Sequence, residues 1–282
     1  QPLYRTYNAS TVSFAYVTKT VFDFIRIFLP LVIIFATHGL WKKTGTYRER
    51  PQVAFEGRYL LLLRSGDQYS FSSTLPILNN ADSSHYSVSH LDYQWIPLPA
   101  NDYELQLDIF VPMSNASFDS LIYFIFLKYR LDYHSDVEAG VALYDSFQLP
   151  SSTTSLTVLG TLASDQKQPF RWREYYELLN YTRRDAEHYK PGEIMRRITI
   201  QPFNVRKMQL PMGKAASDSQ FHLKMIAIVS EDEFTYRCDM WELLKWAAVQ
   251  YATVFIVVNF LINSFLNFLF RNRLLDAVPC CK

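Results

Sequence analysis

Cysteine is nearly missing from this chain. Its 282 residues include three, Cys238, Cys280 and Cys281. Only Cys238 falls in the long central region, so that region cannot hold an internal disulfide and must rest on an ordinary packed core. Glycine is scarce, at eight residues, and no glycine-rich phosphate loop occurs. An excess of one charge is also lacking. The formal net charge is +1, which gives no global basic field to attract nucleic acid. No H-E-x-x-H, paired C-x-x-C or G-x-S-x-G motif is present. The six histidines, His38, His85, His90, His134, His188 and His222, are scattered. His85 and His90 lie in a polar loop with no evident third ligand, and a metal needs convergent ligands. These absences argue against an enzyme, a metal centre and a cofactor.

What is present is a pair of apolar stretches at opposite ends, roughly Val21 to Trp41 and Trp246 to Phe270. Each is long enough to cross a ~30 Å hydrocarbon core at ~1.5 Å per residue. Two spans put both termini on one side of a membrane. The expected layout is a cytosolic tail (1–20), a first transmembrane helix (21–41), an extracytoplasmic domain (42–240), an interfacial segment with the second helix (241–270) and a cytosolic tail (271–282). A cleaved signal peptide is disfavoured, because no small-x-small site follows the first apolar run. Lys and Arg are nearly balanced across the two flanks. Sequons favour the domain outside: Asn115-Ala-Ser and Asn180-Tyr-Thr lie within it and are candidates for glycosylation, against Asn8-Ala-Ser in the N-terminal tail. Trp41, Trp241 and Trp246 fall at the domain-side ends of the spans, as an aromatic belt would. Cys280 and Cys281, about ten residues beyond the second span, are candidates for S-palmitoylation.

In the middle region several segments alternate with period two. Leu105, Leu107, Ile109 and Val111 form one apolar face; Phe221, Leu223, Met225 and Ala227 another; Leu156, Val158 and Gly160 a third. Val53 to Leu63 and Leu121 to Leu131 are denser, as in strands buried on both faces. Turn-like runs separate them. The fold class expected is a membrane protein in which two transmembrane helices flank a mostly β, sandwich-like extracellular domain. Arg171 to Tyr189 is the best helix candidate within that domain.

The polar groups inside the spans carry more information than those outside. Asn259, Asn263 and Asn267 recur at i, i+4 and i+8, stacking three amides on one helix face. An amide facing lipid is costly, so such a stripe is expected to meet another helix or water. Asp23 and Arg26, three apart at the start of the first span, share the same leaflet in a hairpin. These five residues are expected to make helix–helix contacts, either within the chain's own hairpin or with partner membrane proteins. A pore lining is the third possibility.

Read in order, further segments carry a resemblance. His38-Gly39-Leu40-Trp41 leads through Tyr47 to Pro51-Gln52-Val53-Ala54-Phe55. Tyr129-Arg130-Leu131, Gln166-Lys167-Gln168-Pro169 and Gly213-Lys214-Ala215-Ala216 follow. Trp241-Glu242-Leu243-Leu244-Lys245-Trp246-Ala247 and Val249-Gln250-Tyr251 open the second span. Their order and spacing resemble the transmembrane protein 231 family over nearly the whole chain, with a divergent stretch between Gly66 and Asp119. The resemblance implies a non-enzymatic structural role at the ciliary transition zone. Its implied partners are tectonic-type ectodomain proteins, multi-span membrane proteins and B9-domain proteins, besides membrane lipid. The implied task is a diffusion barrier controlling entry of membrane proteins into the cilium, and thereby ciliogenesis. The alternative is a two-span ion-channel subunit with a large ectodomain, its asparagines lining a pore.

Overall fold

The computed structural model describes residues 6–8, 13–39, 42–99, 102–112, 118–150, 153–183, 185–207, 210–214, 220–272, 274–275 and 278–280. The chain divides into two compact units, Gln1–Lys43 with Cys238–Lys282, and Thr44–Arg237.

The first unit contains β1 (Thr6–Asn8), α1 (Phe14–Ala36), α4 (Met240–Arg271) and β15 (Val278–Cys280). Helix α1 begins well before the apolar stretch that starts at Val21. Hydropathy marks where lipid-like residues begin, whereas a cap marks where a helix begins. Ser13 caps α1 by accepting from the Tyr16 N–H at 3.3 Å. The hydroxyls of Thr18 and Thr20 donate back to the carbonyls of Phe14 and Tyr16 at 2.8 and 3.0 Å, which satisfies the polar groups of that first stretch. The helix stops at Ala36, not Trp41. There His38 adopts the left-handed region, with φ of 56°. Gly39 N–H then bonds Ile34 O at 3.0 Å and His38 N–H bonds Phe35 O at 3.2 Å, a Schellman termination.

Helix α4 has 32 residues, about 48 Å at ~1.5 Å per residue. Among the described residues it is the one helix long and apolar enough to cross a membrane by length and composition. Helix α1 has 23 residues, but Lys19, Asp23 and Arg26 interrupt its apolar character. The two helices pack along Val258, Ile262 and Leu266 of α4, again spaced i, i+4, i+8, with Phe22 and Ile25 of α1 against them. The outward residues Phe24, Val32, Ile256, Phe260 and Phe268 are all exposed. Strand β1 pairs antiparallel with β15, Thr6 opposite Cys280.

The second unit is built of two facing sheets. One has five strands: β3 (Gln52–Ser65), β4 (Gln68–Ser73), β7 (Ser120–Leu131), β8 (Asp136–Gln148) and β10 (Arg173–Tyr176), in the order β10-β8-β7-β3-β4. The other follows β11 (Phe203–Lys207), β9 (Ser155–Gln166), β13 (Gln220–Val229), β6 (Tyr103–Pro112) and β5 (His90–Pro97), with β12 (Leu210–Lys214) also paired to β9. A two-stranded ribbon joins β2 (Thr44–Glu49) to β14 (Asp232–Arg237). The alternating faces at 105–111 and 221–227 point into the core between the sheets, as do Leu156 and Val158.

Strands β3 and β7 are buried on both faces. Leu61, Leu63, Ile125 and Leu127 enter the inter-sheet core. Leu60, Phe124 and Phe126 enter a second apolar layer beneath α2 (Pro76–Ala81) and α3 (Pro191–Ile200). The helix expected over Arg171 to Tyr189 does not form. Arg173–Tyr176 instead pairs in parallel with Asp136–Ala139 as β10, and Ala186–Tyr189 makes one 3-10 turn. The helix starts at Pro191, where the fixed φ of proline suits the first turn and Glu193 favours its positive end.

Side-chain amides close the edges that strands leave open. Asn204 of β11 accepts from the Ala142 N–H at 3.1 Å and donates to its carbonyl at 3.2 Å. Gln166 does the same for Thr235, at 2.8 and 2.6 Å. Each amide thus stands in for a neighbouring strand.

Candidate functional site

The polar residues of the helix pair gather around Arg26. Its Nη2 donates to Asn263 Oδ1 at 2.6 Å, and its Nη1 lies 3.5 Å from Asp23 Oδ1. Asn263 Nδ2 donates in turn to Asn259 Oδ1 at 3.3 Å. Arg26 Nε is buried without a partner. The chain Asp23–Arg26–Asn263–Asn259 therefore joins α1 to α4 through one charge-assisted bond and its supports. Asn267 is exposed and makes no hydrogen bond among the described residues. The reason lies in helix geometry. The buried seam runs through positions 258, 262 and 266, so the asparagines sit one residue, about 100°, around the helix from it. From α1, the long side chain of Arg26 reaches that flank.

Toward the other end of α4, Lys42 Nζ lies 2.9 Å from Glu242 Oε1 and 5.2 Å from the centre of the Trp246 ring. Trp241 and Trp246 are both exposed. Trp41, Asn115 and Cys281 lie outside the described residues, and Cys280 falls in β15. Asn180 follows β10 in the second unit.

Sequence reasoning did not anticipate a groove on the outer face of the five-stranded sheet. It measures about 990 Å³, with Leu60, Leu62, Phe71 and Leu78 as floor and Arg183, His188 and Arg197 among its rim. His188 is buried. Its Nδ1 lies 2.9 Å from Arg197 Nη2, and its Nε2 faces the Asn180 N–H at 3.2 Å. Both ring nitrogens face donors; the neutral ring can accept at one of them, and charging it removes that acceptor. Burial first, then the charges of Arg197 and Arg183, hold its pKa below the usual histidine range.

An exposed apolar helix pair, one helix of which has the length and composition of a membrane span, combined with a disulfide-free two-sheet domain defines a β-rich membrane protein. The family model described as "Transmembrane protein 231" matches residues 1–279, and the chain belongs to that family. Transmembrane protein 231 of Mus musculus is 23% identical over 297 residues, covering 99% of this chain and 93% of the mouse protein. The Homo sapiens relative is 25% identical over 304 residues, covering 99% and 92%. A cryo-EM structure of a proton-activated chloride channel overlaps with a TM-score of 0.31 and 7% identity, covering 91% of this chain and 97% of the channel chain. Overlap at that level carries no argument for shared fold or activity.

Proposed function

We propose that this chain is a two-pass, non-enzymatic structural component of the membrane at the ciliary transition zone. Its role there is to help form the barrier that controls entry of membrane proteins into the cilium. The observation that carries the reading is the family match along residues 1–279, taken with the role that the family resemblance implies. In this reading α1 and α4 both span, the termini are cytosolic, and the Thr44–Arg237 unit is extracytoplasmic. The Arg26–Asn263 bond supports α1 as a span, because a charged residue in a membrane helix needs a polar partner facing the bundle. Asn267 and the exposed side of Asn263 then remain for helices of partner membrane proteins, while tectonic-type and B9-domain proteins complete the assembly on the two sides.

The test is affinity purification of the tagged protein from ciliated cells in mild detergent, followed by mass spectrometry. Tectonic-type and B9-domain proteins are expected with the wild type. Interhelical hydrogen bonds contribute roughly 0.6–2 kcal/mol each. Changing Asn259, Asn263 and Asn267 together to Leu is therefore expected to lower recovery of multi-span partners by roughly 3- to 30-fold for each interhelical hydrogen bond removed. The Thr44–Arg237 unit should remain folded. Undiminished recovery in the triple variant would remove the asparagine stripe from the account. Recovery of self-copies alone would remove the transition-zone role.

A further inference from the structure

We propose that Asn180 carries an N-linked oligosaccharide. This rests on the reading that the Thr44–Arg237 unit is extracytoplasmic, and it selects one sequon on grounds the motif alone does not supply.

Asn180-Tyr181-Thr182 matches the acceptor pattern. The turn that holds it is pinned through the backbone rather than through the asparagine's amide nitrogen. The Asn180 N–H faces His188 Nε2 at 3.2 Å, and its carbonyl accepts from the Tyr189 hydroxyl at 3.0 Å. In the side chain, Oδ1 accepts from both the Thr182 N–H at 3.0 Å and the Thr182 hydroxyl at 2.5 Å. The hydroxyl that defines the sequon is thus spent on the amide oxygen. Nδ2, the atom that would be modified, has no partner among the described residues, and it is not one of the buried unpartnered side-chain atoms. The intervening Tyr181 is held aside, its ring 3.7 Å from the Arg58 guanidinium carbon. Glycosylation precedes completion of folding, so a used site must let the loop close without burying sugar. This turn meets that condition, because its fixed contacts use every polar atom of Asn180 except the one that would bear the glycan.

The step is a group transfer from a polyprenyl-diphosphate-linked oligosaccharide. Nδ2 forms a bond to the anomeric carbon, and the carbon–oxygen bond to the diphosphate breaks. The diphosphate leaves with that electron pair, and the amide nitrogen loses one proton. No redox change occurs.

The full chain is expressed in glycosylating cells and its mobility compared before and after peptide-N-glycosidase. Four forms are compared: wild type, Asn180→Asp, Thr182→Ser and Gln68→Asn. Asn180→Asp keeps the oxygen that accepts from Thr182 but removes the acceptor nitrogen. Thr182→Ser keeps both the hydroxyl and the sequon. Gln68 is exposed, and its substitution completes a new sequon with Ser70. Wild type and Thr182→Ser are expected to carry one glycan more than Asn180→Asp, and Gln68→Asn one more than wild type. The peptide containing Asn180 should gain the mass of amide-to-acid conversion after enzyme treatment, a readout that needs no variant to fold. If Gln68→Asn gains a glycan while the wild-type Asn180 peptide is unmodified, the Asn180 proposal is overturned and the orientation stands. If neither position is modified, the Asn180 proposal is overturned, and a glycan on Asn8 in place of Asn115 would show that the orientation has fallen as well.

Discussion

Asn204 offers the sharpest test of how the β unit is closed. Strand β10 covers the outer edge of β8 only over Asp136–Ala139. Three residues on, Ala142 is fully buried, and its N–H and carbonyl meet the Asn204 side chain at 3.1 and 3.2 Å. Replacing Asn204 with Leu keeps the γ-branched shape in a larger side chain and strands both backbone groups away from water. An unmet buried donor or acceptor costs about 1–3 kcal/mol. Burying the additional apolar surface of leucine returns ~1 kcal/mol. For the two groups together, less that return, the net loss expected is about 1–5 kcal/mol, against the roughly 5–15 kcal/mol that holds a domain together. Asn204→Asp should be worse still, because its acceptor oxygens would place a buried carboxylate against the Ala142 carbonyl. The assay is urea unfolding of the detergent-solubilised full chain, followed by near-ultraviolet circular dichroism. If Asn204→Leu unfolds within about 0.5 kcal/mol of wild type, the amide is not acting as a strand surrogate and the reasoning fails.

Two more outcomes can be read by the same unfolding method. A Cβ on Gly45 would lie 2.5 Å from the ring of its cross-strand partner Tyr236, so Gly45→Val is expected to cost about 1–3 kcal/mol through forced displacement of that ring. His188 has a folded-state pKa below its ordinary 6.5, so the unfolded chain binds more protons. Stability contributed at neutral pH should therefore be lost as pH falls through 6.5 toward the folded value, and His188→Gln should flatten that slope. An unchanged pH profile in the substituted protein would separate the acid sensitivity from His188.

The sheet faces were legible because burial on one side imposes period two, and nothing else in a chain writes that pattern at 105–111 or 221–227. The doubly buried strands were legible for the complementary reason, density without alternation. Arg171 to Tyr189 misled because its charged and aromatic residues suit a helix locally, whereas tertiary pairing with Asp136–Ala139 decides the outcome. Pro191 followed two residues later by Glu193 was the available helix-start signal. In the helix pair, the asparagine period of four was visible, but the seam lies one residue away at Val258, Ile262 and Leu266. A stripe and its neighbour have the same spacing, so periodicity alone could not say which one faces α1. The surrogate bonds of Asn204 and Gln166 leave no local mark, since they join residues 62 and 69 positions apart.

The ribbon of β2 and β14 also has a mechanical meaning. Thr44 and Arg237, the first and last residues of the unit, are directly opposite one another, and the pairing continues inward to Glu49 and Asp232. Tension applied where the chain enters and leaves would load β2 one cross-strand pair at a time, like a zip. Strand β14 is also held on its other side by Gln166 and by Phe170, whose N–H donates to Thr235 O at 2.9 Å and whose carbonyl accepts from Arg237 N–H at 2.7 Å. The run ends at Glu49, whose carboxylate accepts from the N–H groups of Asp132 and Tyr133 at 2.8 and 2.9 Å. That side chain is a rivet at the end of the zip: β2 would peel away as a short tether first, while β14 stays anchored by Phe234 in the core between the sheets.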